Sequence, residues 1–96
     1  ELAPFGVEVC VLEPGGFATS FMDHLLKPGD SERTAGYGAL RAAPDTFLQR
    51  FDGVLAATPE QDPQRVADAA VTFVEAAPGQ RAARTTVDML GMGAAI

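Results

Sequence analysis

Residues 7–19 read VEVCVLEPGGFAT and contain the clearest strand and turn signals of the chain. Its first residues are mostly apolar and β-branched, which predicts a strand over Val7 to Leu12 that is covered on both faces of a sheet. Pro14 has no amide hydrogen and cannot continue a central strand, so the strand should end there. Gly15 and Gly16 carry no Cβ, so another group can approach their backbone closely. The end of a buried strand at a Gly-rich turn is where α/β proteins place ligands.

The rest of the chain predicts helices followed by one more strand. Helical spacing of apolar side chains and helix-start signals place these helices over Thr19 to Leu26, about Pro44 to Ala57, and Pro63 to Ala77. Asp62 is the expected cap of the last helix. A closing strand is expected over Arg84 to Asp88, with a tail over Met89 to Ile96. The order strand, lid helices, long helix, edge strand predicts an α/β fold, the C-terminal part of a Rossmann-like doubly wound parallel sheet.

Composition and charge limit the kinds of partner. Seven Lys and Arg stand against 13 Asp and Glu, giving a net charge of -6, which argues against nucleic acid or an anionic membrane surface as a partner. No apolar run approaches the roughly 18 residues of a membrane span. Cys10 and His24 are the only cysteine and the only histidine, so no internal disulfide and no metal site are expected. A reducing cytoplasm is the default compartment.

The stretch around the Pro-Gly turn resembles the short-chain dehydrogenase/reductase family, in which a late strand ends in Pro-Gly-x-x-x-Thr. Here the pattern is Pro14-Gly15-Gly16-Phe17-Ala18-Thr19, and residues 1–7 look like the end of that family's active-site helix. The similarity covers nearly the whole chain but only about the last third of the family's usual length. The Gly-rich dinucleotide fingerprint, the catalytic serine and Tyr-x-x-x-Lys do not occur in the sequence. We therefore expect a portion of such an oxidoreductase, inactive alone and without a catalytic residue of its own.

The resemblance also implies how the chain is divided. Residues 1–96 would be a single partial domain: residues 1–13 form a helix end and strand, residues 14–59 the nicotinamide turn and substrate lid, and residues 60–96 the long helix, closing strand and tail. The parent activity would be the NAD(P)-dependent interconversion of a carbonyl and an alcohol. The alternative is a non-enzymatic, truncated α/β interaction module that pairs through its exposed strand edge.

The resemblance implies a site for the nicotinamide of NAD or NADP at the turn. The cofactor-binding residues would be Pro14, Gly15, Gly16, Phe17 and Thr19. Backbone groups around Gly16 and Phe17, with the Thr19 hydroxyl, would hold the carboxamide, and this would fix the ring face presented for hydride transfer. Without the resemblance, the same residues predict a plain strand-to-helix turn with Thr19 as an N-cap.

Apolar residues after the turn are candidates for a substrate wall. The implied substrate-binding residues are Phe17, Phe21, Met22 and Leu25. They would favour a hydrophobic carbonyl or alcohol as the small-molecule substrate. The alternative is that they form the core face of a short helix, which is the commoner use of such a stripe.

Tyr37-x-x-x-Arg41 imitates the family's Tyr-x-x-x-Lys. It differs in having Arg, which stays protonated and is a poor proton relay, and in following the Pro-Gly turn. We therefore expect Tyr37 to be a lid residue that contacts substrate and not the catalytic acid/base.

The last helix and strand carry the expected assembly surface. The helix has an apolar stripe of Val66, Ala69, Ala70, Phe73 and Val74, and in the family the closing strand lies at the sheet edge. The edge strand and the helix over residues 63–77 therefore predict a homo-oligomer. Arg81 and Arg84 lie close to the closing strand and could meet a cofactor phosphate, or pair with acids at the surface.

Overall fold

The computed structural model describes residues 1–92, which form a mixed α/β chain with one two-stranded parallel sheet. The described elements are a 3-10 helix Ala3–Phe5, strand β1 Val11–Pro14, a 3-10 helix Met22–His24, helix α1 Ser31–Ala35, a 3-10 helix Gly38–Ala42, helix α2 Ala43–Ala56, helix α3 Gln64–Glu75 and strand β2 Arg84–Val87. The end of the predicted tail lies outside the described residues. The chain divides into two compact units, one of residues 1–17 with residues from 60 onward, and the other Ala18–Pro59.

The sheet of the first unit has the expected parallel pairing, although β1 is displaced along the chain. The two strands pair from Val11 opposite Arg84 to Pro14 opposite Val87. Thus the prediction of a strand over Val7 to Leu12 is wrong at both ends: the ladder starts at Val11 and includes Pro14. The partner strand has only four residues, which limits the ladder. Pro14 is tolerated because it is the terminal residue of a strand with a free edge.

Helix α3 packs on both strands and begins at Gln64, one residue after the predicted start at Pro63. Pro63 and not the predicted Asp62 occupies the N-cap position, but the Asp62 side chain accepts a hydrogen bond from the Gln64 amide at 2.8 Å and so satisfies one amide of the first turn. The predicted apolar stripe is only partly covered. Phe73 is half-buried, whereas Val74 is 79% exposed, because two short strands cover only a narrow strip of the helix.

The second unit has a small core of its own. Phe51 and Leu55 of α2 are buried, and Phe47 stacks on Phe51 with the ring centroids 6.1 Å apart. The expected helix over Thr19 to Leu26 is reduced to the single turn Met22–His24. The helical turn ends at Leu25, whose backbone is extended (φ -66°, ψ 131°). Helix α2 lies within one residue of its predicted position at either end.

None of the helices within residues 1–92 is both long enough and apolar enough to cross a membrane.

Candidate functional site

The carboxyl ends of the two strands bring the Gly15 backbone and the Asp88 side chain into contact. Because Pro14 pairs with Val87, the residues that follow them lie opposite each other. The Gly15 amide donates to the Val87 carbonyl at 2.9 Å, which continues the pairing one step beyond the ladder. A Cβ placed on Gly15 would lie 2.8 Å from both Cγ and Oδ1 of Asp88. The missing side chain at Gly15 is therefore what allows the Asp88 carboxyl group to approach the turn.

Gln61 joins this contact to the start of α3. Its side chain is buried, with 4% of the residue exposed. Nε2 donates to the Gly16 carbonyl at 2.8 Å and to Asp88 Oδ1 at 3.3 Å, and Oε1 accepts from the Met89 amide at 2.6 Å. Asp88 Oδ1 also accepts from the Leu90 amide at 2.9 Å. One buried amide thus ties together the Pro-Gly turn, the residues after β2 and the segment that enters α3.

The network makes the turn a rigid arrangement of backbone donors and acceptors. Within residues 1–92, no buried side-chain nitrogen or oxygen is without a hydrogen-bond partner. Gln61 uses one lone pair of the Gly16 carbonyl, which leaves the other for a ligand. A planar amide such as a carboxamide is positioned well by backbone groups that are already held in place, because these groups lose little conformational entropy when the ligand binds.

The predicted cofactor residues fall into two groups in the structure. Pro14, Gly15, Gly16 and Phe17 belong to the first unit, together with Gln61 and Asp88, whereas Thr19 belongs to the second. The Thr19 hydroxyl accepts a hydrogen bond from the Phe21 amide at 3.3 Å, a local turn and not the N-cap of the 3-10 helix, which starts later. That bond uses a lone pair of the hydroxyl and leaves its hydrogen available as a donor.

The predicted substrate residues lie mostly at the surface of the structure. Phe21 is 66% exposed and Leu25 is 39% exposed, while Met22 is half-buried. Phe21 and Leu25 thus do not form the core face of a helix. Phe17, the remaining residue of this group, is half-buried at the end of the first unit.

Gln61 and Asp88 belong to this site but are not predicted from the sequence. A signal for Asp88 was present, because it follows the closing strand as Gly15 follows β1, and parallel strands end at the same edge of a sheet. Gln61 carries no such signal. It precedes a helix start, and only the tertiary arrangement turns its amide towards Gly16.

Both arginines near the closing strand pair with acids of the first unit. Arg81 forms an ion pair with Glu8, and Arg84 Nη1 lies 3.3 Å from Glu13 Oε1. Arg81 also donates from Nε to the Phe73 carbonyl at 2.6 Å. Surface pairing, the plainer of the two alternatives for these arginines, is what the structure contains.

The pKa of Glu8 is lowered from its ordinary value of 4.5. The main cause is the hydrogen bond from Arg81, followed by the bond from the Gly79 amide, which is 2.6 Å long. Both favour the ionised carboxylate and outweigh the effect of its partial burial.

Glu8→Gln should therefore reduce the free energy of unfolding at neutral pH and should make it less dependent on pH. A carboxyl group whose pKa is depressed by folding stabilises the protein above its unfolded pKa, and this stability is lost as the pH falls through the folded pKa. The difference between the wild-type protein and the variant should thus shrink as the pH falls below about 4.5. Urea unfolding at a series of pH values measures it. Glu75→Gln, which removes an acid without an ion pair among the described residues, is the control. If the stability difference between the wild-type protein and Glu75→Gln shrinks equally at low pH, the role of Glu8 is wrong.

Comparison of the chain with protein-family models, with curated proteins and with solved structures finds no match. Within residues 1–92, no group of His, Cys, Asp and Glu side chains is arranged to hold a metal ion. The functional assignment therefore depends on the residues of the Pro-Gly turn and on their geometry.

Proposed function

We propose that this chain is the nicotinamide-side and substrate-side portion of an NAD(P)-dependent short-chain oxidoreductase that interconverts a carbonyl and an alcohol. In this proposal the parallel pair belongs to the C-terminal part of a Rossmann-like doubly wound sheet in a cytoplasmic protein. The main support is the position of Pro14-Gly15-x-x-x-Thr19, which begins at the carboxyl end of a strand in a parallel pair. Open α/β sheets bind ligands beyond the carboxyl ends of their strands.

The residues of the turn have different roles in this proposal, and by the resemblance Pro14 and Gly15 would line the nicotinamide pocket. Backbone groups of Gly16 and Phe17, with the donor hydrogen of the Thr19 hydroxyl, would bind the carboxamide. Gln61 would act as a positioning residue, because it fixes the Gly16 carbonyl. The bound nicotinamide would supply or accept the hydride. Phe21, Met22 and Leu25 would contact an apolar substrate, and the exposed carbon surface of Phe21 and Leu25 supports this role.

The proposed chemistry needs motifs that this sequence does not contain. The Tyr-x-x-x-Lys pair for proton transfer and the Gly-rich turn for the cofactor phosphates would come from the rest of the enzyme. We therefore expect the 96-residue chain, incubated with NADPH or NADH and a panel of ketones, to oxidise no cofactor above a control without protein. Steady oxidation that Tyr37→Phe abolishes would overturn this expectation.

In the complete oxidoreductase, Thr19→Ala should lower kcat/KM by about tenfold, the equivalent of one lost hydrogen bond. The physical reason is the loss of a donor to the carboxamide, so that the ring face is less well fixed. Inhibition by AMP, which reports the adenosine side of the cofactor, should not change. Steady-state kinetics with varied nicotinamide cofactor and AMP as inhibitor measures both quantities.

Ser20→Ala is the matched control, because it removes a neighbouring exposed hydroxyl that makes no side-chain hydrogen bond among the described residues. If Thr19→Ala and Ser20→Ala have the same kcat/KM as the wild-type enzyme, Thr19 only shapes the turn. In that case the carboxamide role is wrong.

The rival proposal, a non-enzymatic interaction module, is favoured by exposed apolar surface in the first unit. Val7, Val9 and Val11 are 46%, 76% and 45% exposed and alternate along the segment that enters and begins β1. Unpaired strand edges invite pairing with another chain. The coding sequence upstream of Glu1 distinguishes the proposals: an enzyme needs a Gly-rich turn and Tyr-x-x-x-Lys there, whereas an independent module needs a start codon close to Glu1.

Assembly into a homo-oligomer, through the edge strand and the helix over residues 63–77, is part of either proposal. Val71 and Val74 of α3 are 51% and 79% exposed and lie three residues apart, so they share one side of the helix. Such an exposed apolar pair suits contact with a second copy. Sedimentation of the purified protein tests this, and a monodisperse monomer would contradict it.

A further inference from the structure

The second unit contains a cavity of about 500 Å³ that is built only from its own residues. This volume lies within the roughly 300–1,000 Å³ of small-molecule sites in proteins. The apolar part of the wall includes Pro28, Leu40 and Pro44, and the polar part includes Tyr37 and Arg41. The cavity is therefore mostly apolar, with a few polar residues in its wall.

The charges around the cavity do not balance. Asp30 and Arg33, which also line it, are engaged with each other: Oδ1 of Asp30 accepts from the Arg33 amide at 2.9 Å, and Oδ2 lies 3.7 Å from Arg33 Nε. Arg41 makes no ion pair or side-chain hydrogen bond within residues 1–92. The Arg41 guanidinium thus has no acidic partner among the described residues, although the chain has almost twice as many acidic as basic residues. A cation with that fork geometry fits the two oxygens of a carboxylate.

Tyr37 is a second polar residue of the cavity wall. It is 64% exposed, lines the cavity and makes no side-chain hydrogen bond among the described residues. It precedes the 3-10 helix Gly38–Ala42, and Arg41 lies in the last turn of that helix. The short helix and the residue before it thus place a tyrosine and an arginine in the wall of one cavity.

We propose that this cavity binds a monocarboxylate with an apolar tail. The carboxylate pairs with the Arg41 guanidinium and accepts a hydrogen bond from the Tyr37 hydroxyl, while the tail lies against Pro28, Leu40 and Pro44. The Tyr-x-x-x-Arg pattern, which imitates a catalytic pair in the sequence, is thereby assigned to ligand binding. The proposal does not depend on cofactor binding or on oxidoreductase activity.

The chain carries a built-in reporter of this binding. Tyr37 is its only tyrosine and it has no tryptophan, so intrinsic fluorescence reports Tyr37 alone. Octanoate is the probe, and octanamide is its neutral counterpart of the same length. We expect a saturable change of tyrosine fluorescence with octanoate and an affinity for octanamide at least tenfold lower.

Two variants separate the carboxylate contact from apolar binding. Arg41→Gln should weaken octanoate binding at least tenfold, to the level of octanamide, whereas Arg50→Gln should leave it unchanged because Arg50 does not line this cavity. Tyr37→Phe, measured by titration calorimetry, should weaken octanoate binding several-fold. Circular dichroism of each variant checks that the helices are retained.

Equal affinities for octanoate and octanamide would overturn the proposal, and so would equal affinities of Arg41→Gln and Arg50→Gln for octanoate. The absence of saturable binding to the wild-type chain, by fluorescence and by calorimetry, would overturn it as well. None of these measurements uses a nicotinamide cofactor, so a negative result leaves the oxidoreductase proposal standing.

Discussion

Gln61→Met should lower the free energy of unfolding by about 2–4 kcal/mol, the sum expected for a buried amide that loses several hydrogen bonds. Methionine is close to glutamine in shape, so the change removes the hydrogen bonds without leaving a large cavity. The Gly16 carbonyl, Asp88 Oδ1 and the Met89 amide each lose a partner at a residue that is only 4% exposed. Urea unfolding of the wild-type protein and the variant measures the difference.

Gln49→Met is the matched control for this prediction. Gln49 lies in α2, is exposed and makes no side-chain hydrogen bond among the described residues, so its replacement should change stability by less than about 0.5 kcal/mol. Equal effects of the two substitutions would mean that the Gln61 network does not stabilise the turn. In the complete oxidoreductase, Gln61→Met should also raise the KM for the nicotinamide cofactor, because the Gly16 carbonyl is no longer held.

Local sequence signals were sufficient to predict the elements whose formation depends mainly on residues that are close in sequence. Asp62 followed by proline predicts a helix start, because an aspartate side chain can accept a hydrogen bond from a free amide of the first turn. The Asp62 side chain does accept such a bond, from the Gln64 amide. The spacing of Phe47, Phe51 and Leu55 predicts α2 because the periodicity extends over a long helix. The parallel pairing of two strands separated by a helix also follows from connection rules.

Tertiary context decided the features that the sequence did not predict. The exposure of Val74 depends on how much of α3 a two-stranded sheet can cover, which periodicity does not contain. The start of β1 at Val11 depends on the four-residue length of its partner. At the candidate site, close approach to Gly15 could be anticipated from its missing Cβ, yet the group that approaches is the chain's own Asp88.

Gly15→Ala should lower the free energy of unfolding by about 1–3 kcal/mol, the usual cost of an added methyl group in an overpacked place. The new Cβ would lie 2.8 Å from Asp88 Cγ, and that atom cannot move far because Asp88 Oδ1 is held by the Gln61 side chain and the Leu90 amide. Gly29→Ala is the control, since no atom lies within 4 Å of the corresponding Cβ position.

A double-mutant cycle with Asp88→Ala separates this steric effect from a general intolerance of alanine at the turn. Asp88→Ala removes Cγ and Oδ1, the two atoms that would lie 2.8 Å from a Cβ on Gly15, and leaves only the Cβ of residue 88, at 3.0 Å. Gly15→Ala should therefore cost less in that background than in the wild-type protein. Urea unfolding of the four proteins supplies the coupling energy. If the two substitutions are additive, contact with Asp88 is not the reason that residue 15 has no side chain. The requirement would then come from the backbone of the turn itself or from a ligand that approaches it.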